Sequence, residues 1–168
     1  STLNVDGCTN TGKIESKDIQ SLQIGGLFGE ISELSLEKFI SNSHNTGEIK
    51  AGGCTVTDSQ FSTNVSIGGI SGGSIMGTTN SLISDCSNTG AIIVNDLADE
   101  YNSTVNAGGL GATINWLSVK NFTNKGNFTF AKASTVNAGG ITSMTSSYTT
   151  LEQCYNYGTF SYNGNIYS

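Results

Sequence analysis

Along this chain apolar residues alternate with small or polar ones in short runs and rarely fall into the 3.6-residue spacing of an amphipathic helix. In "CSNTGAII" (86–93), Cys86, Asn88, Gly90 and Ile92 share one parity, while Ser87, Thr89 and Ala91 share the other. Successive residues of a strand point to opposite faces. The spacing therefore predicts a strand with the first set inward and the second outward. Related runs occur at "CTNTGKIE" (8–15), "SHNTGEIK" (43–50), "FTNKGNFT" (122–129) and "CYNYGTFS" (154–161). The segment "GEISELSLEKFI" (29–40) has the residues for a helical turn or two, but its counterparts "TTNSLIS" and "SSYTTLE" do not, so strand is the consistent reading.

These runs are one repeat. Its asparagines are Asn10, Asn45, Asn88, Asn124 and Asn156, separated by 35, 43, 36 and 32 residues. Two residues later stand Gly12, Gly47, Gly90, Gly126 and Gly158; four later stand Ile14, Ile49, Ile92, Phe128 and Phe160; five earlier stand Val5, Ile40, Ile83, Val119 and Leu151. A Gly-Gly block intervenes at "IGGLFG" (24–29), "IGGISGG" (67–73), "AGGLGA" (107–112) and "AGGITS" (138–143). Periods of this length indicate a solenoid, a propeller or a helical array. Glycine-rich two-residue patterning selects the first: an all-β, right-handed parallel β-helix of about five turns. Its single domain divides approximately into repeats 1–36, 37–79, 80–115, 116–147 and an incomplete 148–168. Stacked turns place equivalent asparagines about 4.8 Å apart, close enough for each amide to bond the next. The following glycine supplies a bend or a close approach that a Cβ forbids.

Composition narrows the function classes. Seven Lys and no Arg against thirteen acidic residues give a net charge of −6, which excludes the basic footprint that nucleic acid requires. No apolar run is long enough for a membrane-spanning helix. Charged residues make up 12% of the chain, so the surface is solvated mainly by Ser, Thr and Asn. One histidine, His44, and no Cys-x-x-Cys leave no metal signature, and no cofactor is expected. The densest acidic group, Asp96, Asp99 and Glu100, reads as a solvated loop, so no catalytic residues are expected. An ice-binding face would need regular threonine rows, but the outward column Thr11, Thr46, Thr89, Lys125, Tyr157 breaks off after three.

The Gly-Gly-aliphatic block followed by I-x-x-C-x-N-x-G-x-I resembles the GLUG-type repeats of bacterial cell-surface proteins. The nearest units are "IGGISGG … LISDCSNTGAI" (67–92) and "AGGITSM … LEQCYNYGTF" (138–160). This resemblance covers nearly the whole chain. It implies an extracellular or cell-surface β-solenoid serving as a stalk, a filament unit or an adhesive surface, with no catalytic residues. The chain departs from that pattern in its long insertions.

Cys8, Cys86 and Cys154 fill one slot of the repeat, two residues before the asparagine, with Ser43 and Phe122 in the other copies. Equivalent positions two turns apart lie roughly 9–10 Å from each other, beyond disulfide reach. These thiols are expected to be free and to act as small buried hydrophobes. Cys54 falls in an insertion. The insertions at 51–66 and 94–106 offer an alternative function, a glycan- or receptor-binding module; a carbohydrate-active enzyme is a distant third. Sequons at Asn64, Asn102, Asn121 and Asn127 permit N-glycosylation, with Asn64 and Asn102 favoured because they fall in those insertions. Neither end shows a cap. The expected partner is a further solenoid turn, supplied by a longer chain or by end-to-end self-association. Tyr155, Tyr157, Tyr162 and Tyr167 are the candidate contacts to a neighbour or to sugar rings.

Overall fold

A computed structural model describes residues 2–17, 20–32, 37–52, 62–95, 97, 103–131, 133–146 and 148–163. Every regular element among them is a β-strand, and every pairing between strands is parallel. Each strand pairs with its equivalent one repeat away, which defines a parallel β-solenoid.

Five sheets run along the solenoid. The first stacks Thr2–Asp6, Glu37–Ser41, Leu82–Ser84, Ser118–Lys120 and Thr150–Glu152. The second stacks the two-residue strands that end in the repeat asparagines, from Thr9–Asn10 to Tyr155–Asn156. The third stacks Ile14–Ser16, Ile49–Ala51, Ile92–Val94, Phe128–Phe130 and Phe160–Tyr162. The fourth holds Ser21–Gly25, Thr63–Gly68, Ser103–Gly108 and Thr135–Gly139, and the fifth Ser71–Met76, Gly111–Asn115 and Thr142–Thr145. In the first turn the fifth sheet is represented by single bridges at Phe28 and Ile31.

Alternation along each strand explains the core. Ile40, Ile83 and Val119 stand in register on the first sheet and are fully buried or nearly so. Ile49, Ile92 and Phe128 do the same on the third. Each such side chain contributes about 1.5–3 kcal/mol relative to exposure. The interior divides in two. One apolar cluster lies between the third and fourth sheets and includes Ile67, Val105 and Phe130. The other lies between the first and fifth and includes Ile75, Ile114 and Phe122. Between them runs the asparagine column. A Cβ added to Gly26, Gly69, Gly109 or Gly140, the second glycine of each Gly-Gly pair, would collide with the side chain of Asn45, Asn88, Asn124 or Asn156. The Gly-Gly blocks therefore let the chain cross directly over the asparagines and pinch the solenoid at its waist.

The insertions are shorter than 51–66 and 94–106. Ala51 and Val94 belong to third-sheet strands, and Thr63–Ser66 and Ser103–Asn106 belong to fourth-sheet strands, because Val65 and Val105 continue the inward column. Leu97 is buried in the first of the two clusters. Residues 53–61, with Cys54, and 96 and 98–102, with Asp96, Asp99, Glu100 and Asn102, lie outside the described residues, as does Tyr167.

Candidate functional site

The most regular polar feature of the molecule is its internal ladder. Asn10 donates from Nδ2 to Asn45 Oδ1 at 2.8 Å, Asn45 to Asn88 at 2.8 Å, Asn88 to Asn124 at 2.8 Å, and Asn124 to Asn156 at 2.7 Å. Each amide also donates to the carbonyl of the glycine two residues on, as Asn88 does to Gly90 at 3.0 Å. Asn45, Asn88 and Asn124 are wholly buried. A buried primary amide must satisfy both N–H groups and its oxygen or lose about 1–3 kcal/mol per unmet group. The column meets that demand with one bond up, one down and one sideways. All four amide–amide bonds run in the same direction, so the ladder is polar.

Gly47, Gly90, Gly126 and Gly158 do not bend the chain, because none has a positive φ. Their function is proximity. A Cβ at Gly90 would overlap the carbonyl oxygen of Gly47, and Gly47, Gly126 and Gly158 meet the preceding turn in the same way.

The bend lies five residues earlier, in a column that the repeat spacing did not reveal. Gly7, Asn42, Asp85, Asn121 and Gln153 each stand three residues before a ladder asparagine, with φ of 67°, 48°, 56°, 53° and 53°. The left-handed conformation costs a non-glycine residue roughly 1–2 kcal/mol, least for Asn and Asp. Here the cost is offset by bonds between turns. Asn42 N donates to Ser84 O at 3.2 Å and Asn121 N to Glu152 O at 3.0 Å. Asn42 Nδ2 reaches Asp6 Oδ1 at 2.9 Å, and Asn121 Nδ2 reaches Asp85 Oδ1 at 3.0 Å. Bonds from Ser41 and Asn42 hold the Asp6 carboxyl below its ordinary pKa. The signal available in the sequence was composition, since Gly, Asn and Asp fill four of the five places.

The three described cysteines are free and differ in burial. Cys86 is buried, Cys154 is partly so, and Cys8 is exposed. The expectation of three buried thiols is corrected for Cys8, because it stands on the first turn and no described residue covers that face. Burial pushes the Cys86 thiol from its ordinary 9.0 up to about 11, and burial also raises Cys154. Iodoacetamide at pH 8 should modify Cys8 rapidly and Cys86 only as fast as the protein unfolds, as read by peptide mass spectrometry. Rapid native labelling of Cys86 would contradict its burial. The linkage has a definite sign: an unfolded thiol ionises near pH 9 while the folded one stays neutral, so Cys86 withdraws stability between about pH 9 and 11.

The sequon residues are placed differently from one another. Asn64 is exposed but lies within Thr63–Gly68, its N–H bonded to Gln20 O at 2.8 Å, so it sits on a sheet rather than in an insertion. Asn121 is at the strained corner with its Nδ2 engaged by Asp85. Asn127 accepts from Thr159 N at 3.0 Å. His44 Nδ1 lies 2.9 Å from Ser87 Oγ on the outward face.

The last turn carries most of the exposed large hydrophobic side chains among the described residues. Leu151 and Phe160 continue inward columns yet are 45% and 48% exposed. Phe160 lies flat on Phe128, with ring centroids 4.5 Å apart and planes 6° from parallel. Of the candidate tyrosines, Tyr162 continues the inward column of Phe130, and its hydroxyl donates to Ala133 O at 3.2 Å. Tyr155 and Tyr157 have the outward parity and lie beside one another at 6.4 Å. A second aromatic pair, Trp116 and Tyr148, stacks at 4.5 Å at the corner between the fifth and first sheets, with φ of 60° and 62°. Bulky residues in that conformation are unusual, and neither was singled out by the repeat pattern.

The fold and its ladder define a parallel β-solenoid repeat protein. No family model, curated protein or solved structure matches the chain.

Proposed function

We propose that the protein is a non-enzymatic structural or adhesive element of an extracellular or cell-surface assembly, a segment of stalk or filament of the kind its resemblance to GLUG-type repeats implies. One observation carries this reading: the recurring polar side chains are consumed in joining one turn to the next. The asparagine ladder and the strained outer corner bond along the axis and the two apolar clusters pack along it, which makes a stiff rod of about 4.8 Å per turn. The outward columns are rich in Ser, Thr and Asn, interrupted by His44, Lys125, Tyr155 and Tyr157, with an ion-pair patch around Glu15, which Lys13, Lys17 and Lys50 approach at 3.3, 3.8 and 3.4 Å. Such a surface stays soluble while presenting exposed aromatics such as Trp116 and Tyr148 to a partner.

Location is the test. Antibodies against the chain should label intact cells of the producing organism, and brief external protease should remove the label. Labelling that appears only after permeabilisation overturns the proposal.

A further inference from the structure

Gly12 is a glycine for which no described residue supplies a reason. At Gly47, Gly90, Gly126 and Gly158 an added Cβ would strike the carbonyl oxygen of the preceding glycine in the column. At Gly12 the nearest atom is Asn10 Oδ1, at an ordinary 3.7 Å, and φ lies outside the left-handed region. The residue is shaped to receive a glycine carbonyl from below, and no described residue supplies one.

The ladder points the same way. Asn10, Asn45, Asn88 and Asn124 each donate twice, to a glycine carbonyl and to the next asparagine, whereas among the described residues Asn156 donates to Gly158 alone. At the opposite end, Asn10 Oδ1 receives no asparagine and accepts the N–H of Gly12 at 3.2 Å. A donor is open at one end of the column and an acceptor at the other.

From these observations we infer that the first turn docks head-to-tail on the last turn of a second copy of this chain, continuing the solenoid across the contact; this rests on the stalk-or-filament reading above. Thr150–Glu152, Tyr155–Asn156 and Phe160–Tyr162 of one copy pair with Thr2–Asp6, Thr9–Asn10 and Ile14–Ser16 of the next. The contact spans the first three sheets, the three that have described strands in the fifth turn. Asn156 Nδ2 donates to Asn10 Oδ1, and the Gly158 carbonyl fills the space at Gly12. Leu151 covers Val5, and Phe160 covers Ile14. Glu152 comes opposite Asp6, an unfavourable pair eased by Lys120, which holds Glu152 at 2.8 Å.

The same stacking makes a sharp signature, because Cys8 and Cys154 fill one slot at opposite ends. Within a chain they are four turns, roughly 19 Å, apart. Across the contact they are one turn, about 4.8 Å, apart, inside the roughly 4.4–6.8 Å that a disulfide spans between Cα atoms.

The experiment uses the full chain with Cys54→Ser, treated with diamide. This azo oxidant takes two electrons and two protons from two thiols, forming one S–S bond as N=N becomes HN–NH. The expected result is a non-reducing ladder of dimers and higher species joined by Cys8–Cys154, identified by peptide mass spectrometry. Absence of links, or links that are only Cys8–Cys8 or Cys154–Cys154, overturns the inference. Gly12→Ala should leave the melting temperature unchanged and reduce the ladder about tenfold, since its methyl overlaps the incoming carbonyl. An undiminished ladder in Gly12→Ala also overturns it, because the Gly158 carbonyl would then not be seated on Gly12. Failure here leaves the stalk reading standing if intact cells are still labelled, so the two fail separately.

Discussion

Asn88→Leu should destabilise the protein by about 3–6 kcal/mol, seen as a large fall in the urea midpoint. Leucine matches asparagine closely in shape, so it leaves no space for a replacement water. It strands three buried groups at once: an N–H of Asn45, Oδ1 of Asn124 and the carbonyl of Gly90. Each unmet group costs about 1–3 kcal/mol, and a domain of this kind has only about 5–15 kcal/mol in total. Asn10→Leu should cost about 1 kcal/mol, because Asn10 is partly exposed and Asn45 Oδ1 is the one buried group that loses a partner, the Gly12 N–H and carbonyl being exposed to water. Equal costs at the two positions would show that the ladder is not what holds the turns together.

Gly90→Ala should cost about 3 kcal/mol and shift the melting temperature down accordingly. The added methyl falls on the Gly47 carbonyl. That carbonyl cannot retreat without disturbing the bonds from Thr89 N to Asn45 O, at 2.8 Å, and from Ile49 N to Ala91 O, also at 2.8 Å. The contrast is again positional, since Gly12→Ala should change monomer stability by no more than about 0.5 kcal/mol. The two substitutions are chemically identical and differ only in whether a turn lies beneath them. A cost at Gly12 as large as that at Gly90 would show that the columns are set by local backbone preference rather than by contact.

Much of the architecture could be read from residue order. The parity of Cys86, Asn88, Gly90 and Ile92 assigned them to the interior, where all four are buried. The 35-, 43-, 36- and 32-residue spacings identified which side chains would share a column, and the observed pairings match Asn10, Asn45, Asn88, Asn124 and Asn156 in that order. These readings succeed because every turn repeats the same local demand, so one copy corrects the ambiguity of another.

The function of the ladder glycine was assigned by residue type alone, and type permits both a bend and a close approach. Only the position of the Gly47 carbonyl separates them. The true corner has no fixed residue in the repeat, because Gly7, Asn42, Asp85, Asn121 and Gln153 vary in identity while sharing a conformation. Cys8 was expected to be buried because its slot is buried in the middle of the stack, yet a slot at the end lacks one neighbour.

Strand type, inward face, repeat number and the membership of each column thus follow from the order of residues, because alternation and period are properties of the chain. The division of the core into two lobes, the pinch of the Gly-Gly blocks over the asparagines, the direction of the ladder and the open acceptor at Asn10 do not. They depend on atoms from turns some 32–43 residues apart brought within one hydrogen-bonded rung of each other, and that proximity exists only once the solenoid has closed.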